Sequence, residues 1–469
     1  MTASIRYRVS SSLRVSKERA FAYHERFGAL QRLTPPWESV VIEKSDGSLK
    51  VGSQVILKMS VFGVPLRWVA EHTAYNPPHS FTDTQISGPF ASWEHRHEFA
   101  DGESPQNNGS CLTDTIDYRV RLGALGRLFG GAWVRRKVES MFAYRHRITR
   151  DDLALMSVYP NQTSQIAISG SHGLVGSALQ SMLTLFGHQT VRIVRDSPSK
   201  DRLAVWESES EAKRLDGTEA VIHLAGKSIA GKRWSENMKR QIHDSRVMKT
   251  RQLCESLAKL ENKPKVLICA SATGIYGDRG EAILDEQSSG GGDFLAGVAD
   301  EWEQACQPAK DAGIRVVHAR FGLILSPSGG ALQKMLVPAK FAGGALGNGK
   351  QWWSWIALDD AIGALYHSMM NEQVRGAVNF VSPHPIRNSD FAKTLGRVVN
   401  RPALFPAPAA ALRLAMGEMA DALLLSSTRV LPTVLQATNY SFRFTDLEET
   451  LRYLLGKERL KSSLRQPVP

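Results

Sequence analysis

The run QIAISGSHGLVGSALQSMLTLFGHQTVRIVRD (165–196) decides the fold. It opens on a short apolar strand, Ile166–Ser169, and turns through Gly170, Gly173 and Gly176 in a GxxGxxG spacing. It then continues as an amphipathic stretch, Val175–Phe186, with helical periodicity. Each glycine has its own physical task. The first permits the tight turn out of the strand, the second lets backbone approach a pyrophosphate, and the third lets the helix lie close to the sheet. The helix start then presents bare amides to negative charge. A glycine triplet alone is weak evidence, but between an apolar strand and a helix it has the context that a dinucleotide site requires.

Working outward, the next strand, Thr190–Val194, ends in Arg195-Asp196. A carboxylate at that position binds a ribose 2′-hydroxyl, whereas a guanidinium pairs with a 2′-phosphate. Arg195 therefore points to NADP(H) rather than NAD(H), with Arg192 as either a helper or a solvated side chain. AVIHLAG (220–226) is a buried strand whose glycine end runs under the cofactor. The candidate cofactor-binding set is Gly170, Ser171, Gly173, Leu174, Val175, Gly176, Arg195, Leu224, Ala225, Gly226 and Ser271. After a polar stretch in which Met238, Ile242, Val247 and Leu253 keep helical phase come two more strands, Val266–Ser271 and Val316–Gly322. Strands alternating with helices in this order give a parallel, doubly wound α/β sheet of Rossmann type.

With these motifs on the page, residues 165–456 resemble the extended short-chain dehydrogenase/reductase superfamily, and within it the sugar-nucleotide epimerase-like group. The likeness rests on SGSHGLVGSAL (169–179), HLAGKSIAGKRW (223–234), SRVMKTRQL (245–253), SATGIYGDRGE (271–281), GGDFLAGVADEWEQA (291–305), ARFGLILSPSGGALQKM (319–335) and GALGNGKQWWSWIALDDAIGAL (344–365). The resemblance implies a hydroxyl, Tyr and Lys catalytic set, for which Ser271, Thr273 and Tyr276 are the candidates. Two departures stand out. The usual serine position falls on Ala272, and Phe294 and Val298 occupy the places of the expected Tyr-x-x-x-Lys pair. Asp300, Glu301 and Glu303 are alternative proton carriers on the following helix, each also readable as structural. Substrate contacts are expected from Phe321, Gly322, Gly343–Gly349, Lys350, Gln351 and Trp352, although the tryptophans equally suit a packed seam. Asp359-Asp360 read as a helix cap that braces the site.

Residues 1–155 carry a different pattern. Ile5–Leu13 alternates like an edge strand, and Lys17–Phe27 has helical spacing with Ser16 as N-cap. Strand-like stretches follow at Ser39–Lys44, Gln54–Val61, Leu66–Tyr75, Ser80–Ile86, Ser92–Phe99 and Cys111–Val120, then a helix over Trp133–Ile148. FGVPLRW (62–68), DTQISGPFASWEHRHEF (83–99) and MFAYRHRI (141–148) make this α+β segment resemble the helix-grip superfamily of START-like carriers and polyketide cyclases (SRPBCC). That likeness implies a tunnel for an apolar small molecule, and the same residues also suit an ordinary core. His95 and His97 share one face of a strand, which suggests a metal. Sequence spacing offers no third ligand, so they are read as hydrogen-bonded strand histidines and no metal is expected.

The organisation expected is a helix-grip domain over 1–155, a linker over 156–164, a nucleotide-binding domain over 165–400 and a helical part of the substrate lobe over 401–460. The hydrophobic fraction of 42% and charged fraction of 22% are those of a globular chain. The net charge of +12 is dispersed rather than clustered, apart from the short runs Arg135–Lys137 and Lys457–Arg465, so nucleic-acid binding is the least supported class. Four scattered cysteines form no CxxC pair, and no secretory or membrane-spanning run occurs; a cytoplasmic protein is the expectation, and the resemblance adds a homodimer to it. Two functions compete: an NADP(H)-dependent oxidoreductase or epimerase on a nucleotide-sugar or other small carbonyl or hydroxyl compound, and a catalytically weak NADP-binding sensor or scaffold.

Overall fold

A computed structural model of the chain describes residues 4–61, 64–102, 109–121, 123–159, 162–195, 197–206 and 208–458. Asp196, Phe62-Gly63 of the quoted helix-grip motif and the basic run beyond residue 458 lie outside the described residues. The chain divides into two compact units, one built on residues up to Gln162 and the other on Thr163–Leu183 and His188–Leu451.

In the first unit Ile5–Leu13 (β1) leads to Lys17–Glu25 (α1), whose first turn is capped by the Ser16 hydroxyl accepting from Arg19 N at 3.4 Å, and to Ala29–Arg32 (α2). Val40–Ser45 (β2), Gln54–Val61 (β3), Val64–Asn76 (β4), Ser80–Ser87 (β5), Phe90–Asp101 (β6) and Ser110–Val120 (β7) then form an antiparallel meander. The chain's first strand joins beyond the last, giving the order β1-β7-β6-β5-β4-β3-β2. The closing helix, Gly123–Val158 (α3), runs 36 residues, far beyond the turns read from the periodicity. Its first turns carry Gly123, Gly126, Gly130 and Gly131, which weaken the sequence signal without breaking the helix. Val138 and Phe142 of α3 pack on Val9, Trp93, Ile116 and Tyr118 of the sheet. Asp152, fully buried, accepts from Arg32 Nε and Nη2 at 2.9 Å each and from the Tyr23 hydroxyl at 2.9 Å, tying α3 to α1 and α2.

The second unit follows as Gln165–Ser169 (β8), Leu174–Leu185 (α4), Gln189–Ile193 (β9), Arg202–Leu203 (β10), Glu209–Lys213 (α5), Ala220–His223 (β11), Glu236–Asp244 (α6), Val247–Ala258 (α7) and Val266–Ala272 (β12). Then come Ile283–Leu284 (β13), Phe294–Gln304 (α8), Gln307–Asp311 (α9), Arg315–Phe321 (β14), Leu323–Leu325 (β15), Gly330–Lys340 (α10), Gly343–Leu346 (β16), Trp352–Trp353 (β17), Trp355–Ala357 (β18), Leu358–Met370 (α11) and Gly376–Phe380 (β19). Seven strands form one wholly parallel sheet in the order β10-β9-β8-β11-β12-β14-β19. Strand order reverses beside β8, which sets a crevice between the carboxyl ends of β8 and β11. The Rossmann reading of this unit and the helix-grip reading of the first are both what the structure shows.

One stretch differs. The helical phase running through Met238–Leu253 is split into α6 and α7 at Ser245-Arg246. There the Ser245 hydroxyl donates to Ile242 O at 3.0 Å and accepts from Lys227 N at 3.0 Å, so a loop far back in the chain competes for the helix turn. Among the described residues no helix is long and apolar enough to cross a membrane. All four cysteines are free, and Cys254, Cys269 and Cys306 meet in one core despite their wide spacing.

Candidate functional site

The turn after β8 is shaped by the absence of side chains. Gly170 has φ +69°, and a Cβ there would lie 2.8 Å from the Leu224 carbonyl; one on Gly176 would lie 2.3 Å from Gly170 O. A Cβ on Gly173 would meet only Gly170 O, at 3.2 Å, and Gly173 is exposed. Two glycines thus serve the protein's own packing while the middle one leaves backbone open outward. Leu174, Val175 and Gly176 occupy the first turn of α4, where amides have no intrahelical acceptor. The buried Ser171 hydroxyl has no hydrogen-bond partner among the described residues. An amide-rich, glycine-lined cradle with an orphan hydroxyl fits a pyrophosphate.

A buried chain of hydrogen bonds fixes the facing turn. Ser169 Oγ accepts from Leu224 N at 3.1 Å and Ala225 N at 3.2 Å, and lies 2.6 Å from His223 Nδ1. His223 Nε2 lies 3.0 Å from Thr250 Oγ1, which also accepts from Trp302 Nε1 at 2.9 Å. Burial pulls the His223 pKa down to about 4. Beside this turn sits a residue the sequence reading quoted in a motif without giving it a role. A Cβ on Gly226 would lie 3.3 Å from the Arg246 guanidinium, which packs over Trp302 and donates to Ile242 O at 3.2 Å. Burial lowers its pKa to about 10, leaving it charged at neutral pH. Arg195 follows β9 in an exposed position, while Arg192 is paired with Asp201.

The proposed catalytic hydroxyls lie deeper. Ser271 Oγ donates to Glu303 Oε1 at 2.7 Å, and Glu303 is held bidentately by Arg320 at 2.8 Å through both nitrogens. Arg320 Nη1 also donates to the Tyr276 hydroxyl at 2.9 Å, which in turn donates to Asn379 Oδ1 at 2.7 Å. Tyr276 is fully buried, and burial pushes its phenol up. These side chains therefore knit β12, β14, α8 and β19 together. Thr273, also buried, donates weakly to Phe321 O at 3.4 Å, while Ala272 is half-exposed. Phe294 packs against Trp234 and under Lys239 Nζ at 5.2 Å, and Val298 is buried.

The substrate candidates separate by environment. Phe321 and Gly322 stand at the end of β14, where a Cβ on Gly322 would lie 2.5 Å from Ser354 O. Gln351 is buried and donates to Leu346 O and Leu424 O, a structural use, whereas Lys350 is exposed. The Arg387 and Arg429 guanidiniums both lie over the Trp352 ring, at 4.5 Å and 4.3 Å, and its Nε1 donates to Glu281 at 3.0 Å. Asp360 accepts from Arg443 N, Phe444 N and the Tyr440 hydroxyl, bracing the C-terminal segment.

The first unit holds a cavity of about 460 Å³ between α3 and the sheet, lined chiefly by apolar side chains such as Leu57, Met59, Trp68, Phe90, Trp93 and Met141. At one part of its wall stand Asp83, His95 and His97, whose donor atoms lie within 4.8 Å of one another. The absence of a third group beside the two histidines, as read from sequence spacing, is thereby corrected. Asp83 is the cross-strand partner of His95 in the β5–β6 pairing, a neighbour that only register reveals.

A family model described as NAD dependent epimerase/dehydratase family matches residues 166–380. An epimerase family protein of Mycobacterium bovis is 39% identical over 292 residues, covering 61% of this chain and 96% of that protein. The chain belongs to the NAD-dependent epimerase/dehydratase family. Within this epimerase family, YfhF of Bacillus subtilis is 38% identical over 302 residues, 63% of this chain and 99% of its own length. Among solved structures, a nucleoside-diphosphate sugar epimerase from Corynebacterium glutamicum aligns with a TM-score of 0.78 at 32% identity, covering 97% of this chain and 91% of that one. Human epimerase family protein SDR39U1, solved with NADPH, aligns at a TM-score of 0.59 and 30% identity over 62% of this chain and 99% of its own. A polyketide cyclase/dehydrase and lipid transport model matches residues 13–142, and a domain of unknown function matches 407–454.

Proposed function

We propose that the second unit is an NADP(H)-dependent oxidoreductase or epimerase that acts on a nucleotide-sugar or another small carbonyl or hydroxyl compound at the carboxyl ends of β8, β11, β12 and β14. The observation that carries this reading is the side-chain-free cradle at Gly170–Gly176, faced by the braced Leu224–Gly226 turn. The pyrophosphate rests on the first-turn amides of α4, Ser171 Oγ supplies a hydroxyl, and Arg246 adds a guanidinium beside Gly226. Arg195 grips the 2′-phosphate. When bound, the nicotinamide supplies or accepts hydride. The substrate lies against Phe321, Gly322, Lys350 and Trp352, with residues 401–460 completing its lobe. The NADPH in the human relative's structure and the description of the Corynebacterium protein support the same choice of cofactor and substrate class. The first unit, residues 1–155, takes an apolar small molecule in its cavity.

A second reading has its own observation. With Phe294 and Val298 where the Tyr and Lys are expected, and the Tyr276 hydroxyl buried between Arg320 and Asn379, no phenol with an exposed oxygen stands in the crevice among the described residues. A catalytically weak NADP-binding sensor or scaffold would look like this. Calorimetry with NADPH and NADH on the full chain tests the cofactor: NADPH is expected to bind more tightly, and Arg195→Asp to reverse the order. No binding of either nucleotide would overturn both readings. NADPH oxidation or NADP⁺ reduction, read together with NMR detection of epimerised sugar, over a panel of nucleoside-diphosphate sugars then separates enzyme from sensor.

A further inference from the structure

The cavity wall of the first unit holds a polar cluster that the proposed chemistry of the second unit does not use. Asp83 on β5 and His95 on β6 face each other in register, and His97 stands two residues on, on the same face. Backbone pairing, rather than long flexible side chains, therefore brings two imidazoles and a carboxylate together. Behind them Asp114 on β7 accepts from His146 Nε2 at 3.1 Å, and His146 Nδ1 lies 2.9 Å from Ser11 Oγ. Asp114 Oδ1 lies 2.7 Å from His97 Nδ1 and 3.6 Å from His95 Nε2. Yet these three atoms are buried and make no aligned hydrogen bond. Those imidazole nitrogens face Asp114; on the other edge of its ring His95 Nδ1 lies 3.0 Å from Asp83 Oδ2, so the groups that gather at the cavity wall are Asp83, His95 through Nδ1, and His97.

We propose that Asp83, His95 and His97 hold one divalent transition-metal ion, with its remaining coordination positions open to the cavity. Two imidazoles and one carboxylate are a donor set suited to Zn²⁺, Fe²⁺ or Co²⁺, and three protein ligands leave room for a further one. Donors each about 2.1 Å from an ion sit roughly 3–4 Å apart, so the observed cluster closes with movements of about 1 Å or less. Asp114 is the carboxylate that orients ligating imidazoles from behind. Charge defines the cavity ligand. The carboxylates of Asp83 and Asp114 face one guanidinium, Arg145, which lines the cavity and donates to Leu33 O at 3.2 Å. Adding a dication to neutral histidines leaves one positive charge, which an anionic oxygen offsets. The ligand class is an apolar body with a carboxylate, enolate or phenolate head.

The test uses the full chain, stripped with a chelator and titrated with Co²⁺ alone. One equivalent is expected to bind with the visible absorption of mixed nitrogen and oxygen coordination, and Zn²⁺ to displace it. Asp83→Asn and His97→Gln should each weaken binding about tenfold or more, with circular dichroism and NADPH binding unchanged, while the exposed His79→Gln should bind as the parent does. Where one variant fails to fold, the other decides. A wild-type chain that takes up no Co²⁺, or an absorption band unaltered in the folded variants, would overturn the site.

Discussion

At the scale of the residue, proton inventory assigns His223. Both lone pairs of Ser169 Oγ are taken by the amides of Leu224 and Ala225, so its proton goes to His223 Nδ1, and the imidazole's own proton sits on Nε2 toward Thr250. A second proton on the ring would collide with the Ser169 hydroxyl hydrogen and disturb the turn that faces the glycine cradle. The folded pKa of about 4 lies below the ordinary value of 6.5. Stability from keeping this ring neutral is thus fully present above pH 6.5 and lost as pH falls toward 4, at about 1.4 kcal/mol per pH unit. His223→Gln keeps an acceptor and a donor but cannot titrate. Denaturant unfolding of the variant should show the acid-side slope reduced by about one proton; an unchanged slope would assign it to other groups. Tyr276 gives a second residue-scale prediction. Removing a hydroxyl bonded to both Arg320 and Asn379 should destabilise the fold by roughly 1–3 kcal/mol, with any turnover of Tyr276→Phe staying near that of the parent. A loss of activity by orders of magnitude, with stability intact, would return the phenol to proton transfer.

At the scale of the element, the glycine turn separates packing from ligand approach. Gly176→Ala forces a methyl within 2.3 Å of Gly170 O and should lift α4 off the sheet, at a cost of about 3 kcal/mol or more. Gly173→Ala meets one atom at 3.2 Å on an open face, so it should fold near-normally and lose affinity for NADPH instead. Equal losses of stability in both variants would show that the middle glycine also serves packing. The same turn explains what was legible in the sequence. Period-2 burial and glycine punctuation are local signals: Ile5–Leu13 carries the first and the β8-turn-α4 unit the second. The break between α6 and α7 was hidden because its cause, Lys227 N bonding Ser245, is 18 residues away. Asp83 was invisible beside His95 because cross-strand pairing is fixed by register across a hairpin. Arg246 likewise became a candidate only when folding brought its guanidinium over Gly226. The buried bonding of Ser271 and Tyr276 depends on Glu303, Arg320 and Asn379, which arrive from α8, β14 and β19.

At the scale of the whole molecule, the described residues of the two units include large hydrophobic clusters that share no residue. Val9, Trp93, Ile116 and Phe142 belong to one, and Val191, Val221, Leu267 and Val316 to the other. A chain of two compact units is a poor two-state system, and its calorimetric unfolding enthalpy should exceed the van't Hoff value. Ligands then act as labels. NADPH at a hundred times its dissociation constant adds about 2.7 kcal/mol to whichever part binds it, roughly 4–5 °C in midpoint for a unit the size of the second. On the proposed assignments it should raise the transition that includes the glycine cradle, while Co²⁺ raises the one that includes Asp83, His95 and His97. Scanning calorimetry of one sample with neither ligand, with each and with both gives the answer directly. Two transitions moved independently are expected. A single transition shifted alike by either ligand would mean that the two cores melt as one cooperative body, and that burial within each unit is not what sets its stability.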